Sequence, residues 1–442
     1  MRTAYETLIN ANKIGITLWL AENDKLKYKA TNHPETEATL KEIVAYKNEI
    51  IDLLKRNGIV SEEQPFPFIY RCEREPAALS FAQERLWFIE QYEGGTNAYH
   101  VPRVYQLRQS ANIEAIKSAI RAIVSRHEVL RSTINKQGDE TVQCLHDMPL
   151  EIEACTVNSN DELLAIVRKD ISKPFDLGSE YPIRAKLYYV HAGGHTQTKS
   201  NIDVFLLINI HHIATDGWSM DCFQRELKLC YAAFAAGSID SMKLPFLPVQ
   251  YKDYAVWQRE YLQGEVLQEQ IEYWVNKLSG FESLNLQSDY TRPKNLEYHG
   301  KRKYFTLDKQ ASAQLQALSK EHGTTLHVML LSIFSILLSK YTGQGDIVTG
   351  SPIANRHHDQ IKDLIGYFVN TQVNRIKIDP HRNCKELFEQ VHHEQAASQR
   401  YQDLPFEKLV ELLQIERDLG RHPIFSSHVW RSKLWKGSRS YG

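Results

Sequence analysis

Two imidazoles, a carboxylate and a glycine crowd one short stretch of the 442-residue chain: His211-His212-Ile213-Ala214-Thr215-Asp216-Gly217, followed by Trp218-Ser219. Imidazole titrates near neutral pH, so a histidine here is the side chain best suited to take a proton from a reacting group. An aspartate buried beside it needs a cationic partner, because an unpaired interior charge costs on the order of several kcal/mol. A His-His pair alone carries little; His357-His358 and His392-His393 occur in the same chain. What counts is the whole string and its position.

That position is a strand-to-helix turn. Val204-Phe205-Leu206-Leu207-Ile208 is an apolar run with β-branched members, the pattern of a strand buried on both faces. Beyond the string, Phe223, Leu227, Tyr231 and Phe234 recur at helical spacing and predict an amphipathic helix.

Composition narrows the function classes. Hydrophobic residues make up 42% and charged residues 24%, ordinary for a globular chain. A formal net charge of −1 carries no nucleic-acid signature. The longest apolar runs fall short of a membrane span, and Met1 to Asn10 lacks the apolar core of a signal peptide, so a cytoplasmic location is expected. Cys72, Cys144, Cys155, Cys222, Cys230 and Cys384 are scattered without a Cys-x-x-Cys pair, which fits reduced thiols better than a disulfide framework or a zinc site. No metal site is expected. No glycine-rich phosphate loop stands out either.

Residues 1–57 read as a unit of their own. Leu8, Ile9 and Ala11 open a helical pattern that stops near Gly15. Ile16 to Leu20 and Leu26 to Ala30 flank Glu22-Asn23-Asp24-Lys25 and predict a β-hairpin. Leu40, Ile43, Val44, Tyr46, Ile50, Ile51 and Leu54 then trace one face of a single helix that Gly58 can end. A hairpin this small leaves a free edge, and free edges pair with extended peptides. Residues 58–77, with Pro65, Pro67 and Pro76 among polar residues, read as a linker.

The string from His211 to Ser219 resembles the active-site motif of the condensation domains of nonribosomal peptide synthetases, which share a fold superfamily with chloramphenicol acetyltransferase. Further signatures follow in the family's order: Leu79-Ser80-Phe81-Ala82-Gln83-Glu84-Arg85-Leu86-Trp87-Phe88, Arg126-His127-Glu128-Val129-Leu130-Arg131-Ser132, Tyr251 to Gln258, Thr349 to Arg356, Ile365 to Thr371, Tyr401 to Glu407 and Arg417 to Phe425. The opening 57 residues, with Gly15-x-x-Leu18-Trp19-Leu20, are similar to the tubulysin-type docking domains that begin some synthetase subunits.

The resemblance implies an α/β (α+β) fold: two acetyltransferase-like lobes forming a pseudo-dimer around a tunnel, at 78–245 and 246–425, behind a helix–hairpin–helix docking domain. After Phe425 the family continues through further strand and helix segments, whereas residues 426–442 are a basic, Ser-rich tail. A truncated C-terminal lobe is therefore expected.

It also implies amide formation between an upstream carrier-bound acyl or peptidyl thioester and a downstream carrier-bound amino acid, both presented on phosphopantetheine arms, with no cofactor held by this chain. His212 is the expected catalytic residue, and His211 a scaffold residue. Asp216 is expected in a structural ion pair, with Arg131 the preferred partner and Arg126 the other arginine at hand. Gly217 would let the backbone pass near the reacting centre. Trp218, Ser219, Trp257 and Asn370 are candidate substrate or cross-lobe contacts. Leu18, Trp19, Leu20, Leu26 and Tyr28 would form the hairpin that captures the C-terminal tail of an upstream synthetase subunit. Rival expectations are an epimerisation domain, an acyltransferase using coenzyme A, and a catalytically silent docking and carrier-binding fragment. A heterocyclisation domain would carry aspartates at 211 and 212.

Overall fold

The structure, a computed structural model, describes all residues except 1–3, 22–23, 31, 57–67, 73–74, 94–96, 192–201, 239–241, 291–299, 302, 415–423, 426, 428 and 430–442. Mixed α/β architecture, as expected, is distributed over two compact units. Met1–Tyr261 with Arg356–Tyr367 form the first, and Leu262–Asn355 with Phe368–Gly442 the second.

The first unit opens with α1 (Ala4–Lys13), a hairpin of β1 (Thr17–Ala21) and β2 (Lys25–Lys29), α2 (Thr36–Ala45) and α3 (Lys47–Arg56). Leu8, Ala11, Ile16, Leu18, Leu20, Ile43, Ile50 and Leu54 close a small core, into which Phe68 is also drawn. The single helix expected over 40–54 is two, because the chain turns at Tyr46 (φ −103°, ψ 20°). Ile43 before the turn and Ile50 after it still reach the same core. Gly58, the expected helix stop, lies outside the described residues.

Next come β3 (Ala77–Ala78), α4 (Phe81–Glu93), β4 (His100–Leu107), α5 (Ile113–Arg126), β5 (Ser132–Gln137), β6 (Glu140–Leu145), β7 (Ile152–Val157), α6 (Asn160–Ser172), β8 (Ile183–His191), β9 (Ile202–His211), α7 (Gly217–Ala235) and α8 (Tyr251–Tyr261). A four-stranded sheet runs β4-β9-β8-β7, so β9 has a neighbour on each side, and its last six residues are buried. Leu206, Leu207 and Ile208 have the environment that the apolar run at 204–208 called for, whereas Val204 and Phe205 are only part-buried. The buried face of α7 is Ser219, Met220, Cys222, Phe223, Glu226, Cys230 and Ala233. Of the residues expected there only Phe223 is fully buried; the true face is turned so that Glu226 points inward. Helix α8, beyond the expected lobe boundary at 245/246, belongs to the first unit.

The second unit holds α9 (Gly264–Leu278), α10 (Lys309–Glu321), α11 (Leu326–Thr342), the antiparallel pair β10 (Asp346–Ile353) and β11 (Asn370–Lys377), α12 (Cys384–Arg400) and α13 (Phe406–Leu412). Gly350 lies against Phe425: a Cβ at 350 would stand 2.4 Å from that ring. Its N–H donates to Ser427 O at 2.9 Å and its carbonyl accepts from Val429 N at 2.8 Å, so Ser427 and Val429 are tied to β10.

Candidate active site

The 211–219 string occupies the turn between β9 and α7, and its polar groups divide into those already committed and one that is not. His211 is 0% exposed. Its Nδ1 accepts from Ile213 N at 3.1 Å, so Nε2 carries the proton and donates to Glu90 Oε1 at 3.2 Å. Tyr99, His100 and Phe175 surround the ring. Both nitrogens are used, which fixes the tautomer and removes this histidine from proton transfer.

His212 is half-buried, and its Nδ1 has no hydrogen-bond partner among the described residues. The Tyr367 ring meets it edge-on at 5.1 Å between centroids. Burial holds its pKa below the usual 6.5, although the Asp216 carboxylate and the main chain of Thr215 and His212 favour the charged form. The ring is therefore neutral near pH 7 and able to accept a proton.

Asp216 does not meet Arg131. Its Oδ1 caps α7 by accepting from Ser219 N at 2.7 Å and also accepts from Arg356 Nη2 at 3.3 Å. The side chains are 3% and 1% exposed, which makes this a buried ion pair. Arg356 is further held by Ser219 Oγ at 2.6 Å and by the carbonyls of Ile361 and Leu364, both at 2.7 Å. Arg131 instead donates to the His146 carbonyl and to Asp147 Oδ1, each at 2.6 Å. Asp147 is 96% exposed, so its charge lies in water, unlike that of Asp216. Composition alone could not choose between the arginines.

Arg126 and His127 hold a different acid. His127 Nε2 bonds Glu226 Oε2 at 3.0 Å while Ile365 N donates to its Nδ1 at 3.3 Å. Arg126 Nε reaches Glu226 Oε1 at 3.3 Å, and its Nη2 reaches the Pro245 carbonyl. Burial lowers the His127 pKa, so a neutral ring donates to the carboxylate. Burial would raise the pKa of Glu226, but its partners His127 and Arg126 more than offset this and hold it low. An acid on the inner face of a helix, with Arg-His elsewhere in the chain, was the one available signal for this cluster.

Three more expected roles change. Ser219 Oγ is buried and donates to the Gly366 carbonyl at 2.7 Å, so it braces the segment rather than meeting substrate. Trp257 is buried, stacked on Tyr261 at 4.9 Å and set edge-on to His358 at 4.8 Å, which makes it core. Asn370 spends its amide inside the second unit, donating to Gln402 O and Leu404 O at 2.9 and 2.8 Å and accepting from Phe406 N at 3.1 Å. At Gly217 a Cβ would meet nothing within 4 Å, so no neighbouring residue of the chain requires a glycine. Trp218 is 48% exposed, with its indole N–H on Lys362 O at 2.8 Å.

In the hairpin, Leu18 and Leu20 are buried in the unit's own core, whereas Trp19 and Leu26 pack at its margin and Tyr28 is exposed. The outward groups of β2 are Lys25, Lys27 and Lys29. Among the described residues β2 pairs only with β1.

The condensation domain family model matches residues 73–439 of this chain, more than half its length. The chain belongs to the condensation domain family. A second family model, the TubC N-terminal docking domain, matches residues 5–56. Two components of the linear gramicidin synthase of Brevibacillus parabrevis are similar in sequence, one 35% identical over 89% of this chain and the other 39% identical over 78%. The chain spans only 5% and 7% of those proteins. The X-domain from teicoplanin biosynthesis is similar in structure, with TM-score 0.72 and 26% identity over 82% of this chain and 79% of that one. A condensation domain of the enacyloxin polyketide synthase, 19% identical, shares the fold with TM-score 0.60 over 97% of this chain and 82% of its own. These sequence relatives are nonribosomal peptide synthetases, and the expected fold and family stand.

Proposed function

We propose that this chain forms an amide bond between an acyl or peptidyl thioester on an upstream carrier and the amine of an aminoacyl thioester on a downstream carrier. Both substrates arrive on phosphopantetheine arms of partner proteins. The amine nitrogen attacks the thioester carbonyl carbon, and the tetrahedral adduct collapses with loss of the pantetheine thiolate. His212 accepts the amine proton and returns one to the leaving sulfur, a role worth about 10²–10⁴ in rate. Holding two tethered reactants at one point contributes up to roughly 7–11 kcal/mol more. The observation that carries the reading is the division of labour at the turn. His211 and Asp216 are committed to neighbours, while His212 is neutral, half-buried and has Nδ1 unpartnered among the described residues.

The docking unit gives the chain its upstream partner. The exposed edge of β2, with Lys25, Lys27 and Lys29, suits an extended acidic C-terminal tail added as a further strand. A second reading is a docking and carrier-binding module without turnover. One solved neighbour in this fold is described as a complex of the teicoplanin X-domain with another protein. The test is a two-carrier assay beside a carrier-binding assay. His212→Ala should abolish dipeptide formation and leave carrier binding and the melting profile unchanged. Wild-type activity in the folded variant refutes His212 as the proton acceptor, and binding without turnover in the wild-type chain favours the second reading.

A further inference from the structure

Between the docking unit and the condensation unit the chain passes through an extended strap, and its alternate residues face opposite ways. Phe68 and Tyr70 turn into the docking core, Phe68 edge-on to Tyr5 at 6.3 Å and Tyr70 bonded to Asn12. The main chain of Ile69 and Cys72 and the side chain of Arg71 bond the other way. Ile69 N donates to Gln360 Oε1 at 3.1 Å and Ile69 O accepts from Gln360 Nε2 at 2.8 Å, a two-bond pair between a side-chain amide and the main chain. Arg71 donates to Pro248 O at 3.0 Å, and Cys72 N to Asp253 Oδ1 at 2.7 Å. Gln360 is itself buried, and with Asp359 it also borders Tyr5, Leu8, Leu53 and Leu54 of the docking helices.

Gln360 sits in the one segment, Arg356–Tyr367, that returns from the second unit to the first. Both ends of that segment touch the catalytic turn. The Ile361 carbonyl, next to Gln360, accepts from Arg356, and Arg356 holds Asp216 and Ser219. Gly366 N donates to Ser219 Oγ at 3.1 Å, the Tyr367 carbonyl accepts from Tyr251 at 2.6 Å, and the Tyr367 ring meets His212 edge-on. We infer that Gln360 is a positioning residue, and that through it the strap makes the docking unit part of the apparatus that fixes His212. The route is short: docking core, Phe68 and Ile69, Gln360, Ile361, Arg356 and Asp216, whose charge acts on His212, while Tyr367 at the far end of the same segment touches the His212 ring.

This deepens the catalytic reading of His212, but its test reads the ring directly and needs no turnover. The full chain is labelled with ¹⁵N/¹³C-histidine and His212 is assigned by comparison with His212→Gln. The titratable groups facing the ring are Asp216, His211 and Tyr367. Coupling through such networks corresponds to roughly 0.4–1.5 pH units in the His212 midpoint. Gln360→Ala should produce a shift of that size, with folding checked by circular dichroism. Phe68→Leu, which keeps the Gln360 pair but loosens the strap in the docking core, should move the midpoint in the same direction and serves if Gln360→Ala does not fold. Lys41→Ala, on α2 of the docking unit with its side chain exposed and paired to exposed Glu37, should leave it in place. An unchanged midpoint in folded Gln360→Ala, or an equal shift in Lys41→Ala, overturns the inference. Absence of condensation activity alone would bear on the catalytic reading and not on this coupling.

Discussion

Removing Arg356 is the sharpest test of how the turn at 211–219 is built. In Arg356→Met the stem is kept and the guanidinium is lost. Asp216 is then a carboxylate 3% exposed that has lost its buried cation, while Oδ1 still accepts from the N–H of Ser219 at the start of α7. Breaking a buried pair by deleting one partner costs on the order of 3–5 kcal/mol. The carbonyls of Ile361 and Leu364 also lose their donor, at about 1–3 kcal/mol for each that water does not reach. A loss of about 4 kcal/mol or more is therefore expected, enough to unfold a marginal unit. Asp216→Asn should cost less, about 1–3 kcal/mol, because asparagine still caps a helix and Arg356 keeps its two carbonyls and Ser219. Since the residues share one network, the double variant should be less destabilised than the sum, by roughly 0.5–3 kcal/mol. Arg131→Ala lies in a different class: its carboxylate partner is in water, and such pairs contribute about 0–1 kcal/mol. Urea titrations of the four variants decide it. If Arg131→Ala costs as much as Arg356→Met, or the double variant is strictly additive, the buried-pair account is wrong.

Other outcomes follow from the same geometry. Because burial lowers the His212 pKa, the acid limb of the kcat profile should fall below pH 6.5, with activity lost as the ring protonates; a limb well above that value would remove the ring as base. His358, buried beside Trp257, is pushed down to about 3, so the unfolded chain takes up a proton at this site first as pH falls. Its contribution is full above 6.5 and is lost towards 3 at about 1.4 kcal/mol per pH unit; His358→Gln should flatten the wild-type curve by that slope, and parallel curves would refute it. Gly350→Ala should cost roughly 1–3 kcal/mol in the second unit, since the new methyl meets the Phe425 ring, and a neutral effect in thermal melts would mean the ring moves freely. Lys27→Glu on β2 should weaken binding of an acidic synthetic peptide without altering the melting curve, as measured by fluorescence anisotropy.

How much of this could be read in the sequence depended on distance along the chain. The strand, turn and helix around 204–235 were legible because apolar run, polar string and helical period adjoin one another. The docking hairpin was legible for the same reason. The rotation of α7 was not: Leu227, Tyr231 and Phe234 have the right spacing, but a helix can bury an acid, and Glu226 goes inward because His127 and Arg126 wait for it. Nor was the partner of Asp216. Arg126 and Arg131 lay in a motif with an expected role, while Arg356, 140 residues beyond Asp216, closed another signature with no role attached, and charge pattern does not encode which of them packs behind a given turn. Ser219 and Asn370 show the same limit, since a short polar side chain looks alike whether it will meet a ligand or brace a loop.

The return of Arg356–Tyr367 to the first unit also sets a schedule for making the protein. A ribosome releases β9 and the turn at 211–219 long before the segment that completes them, with the strands and helices of Leu262–Asn355 lying between. Until that segment arrives, Asp216 and Ser219 lack their cation and His127 lacks the Ile365 amide. The first unit therefore cannot be finished as an independent N-terminal domain; its last contacts wait on closure of a long loop, whose entropy must be met before those contacts reward it. Fragments cut at the apparent boundary near Tyr261 should behave as expanded, protease-sensitive species rather than as folded half-domains, and the two units should be inherited, swapped or engineered only together.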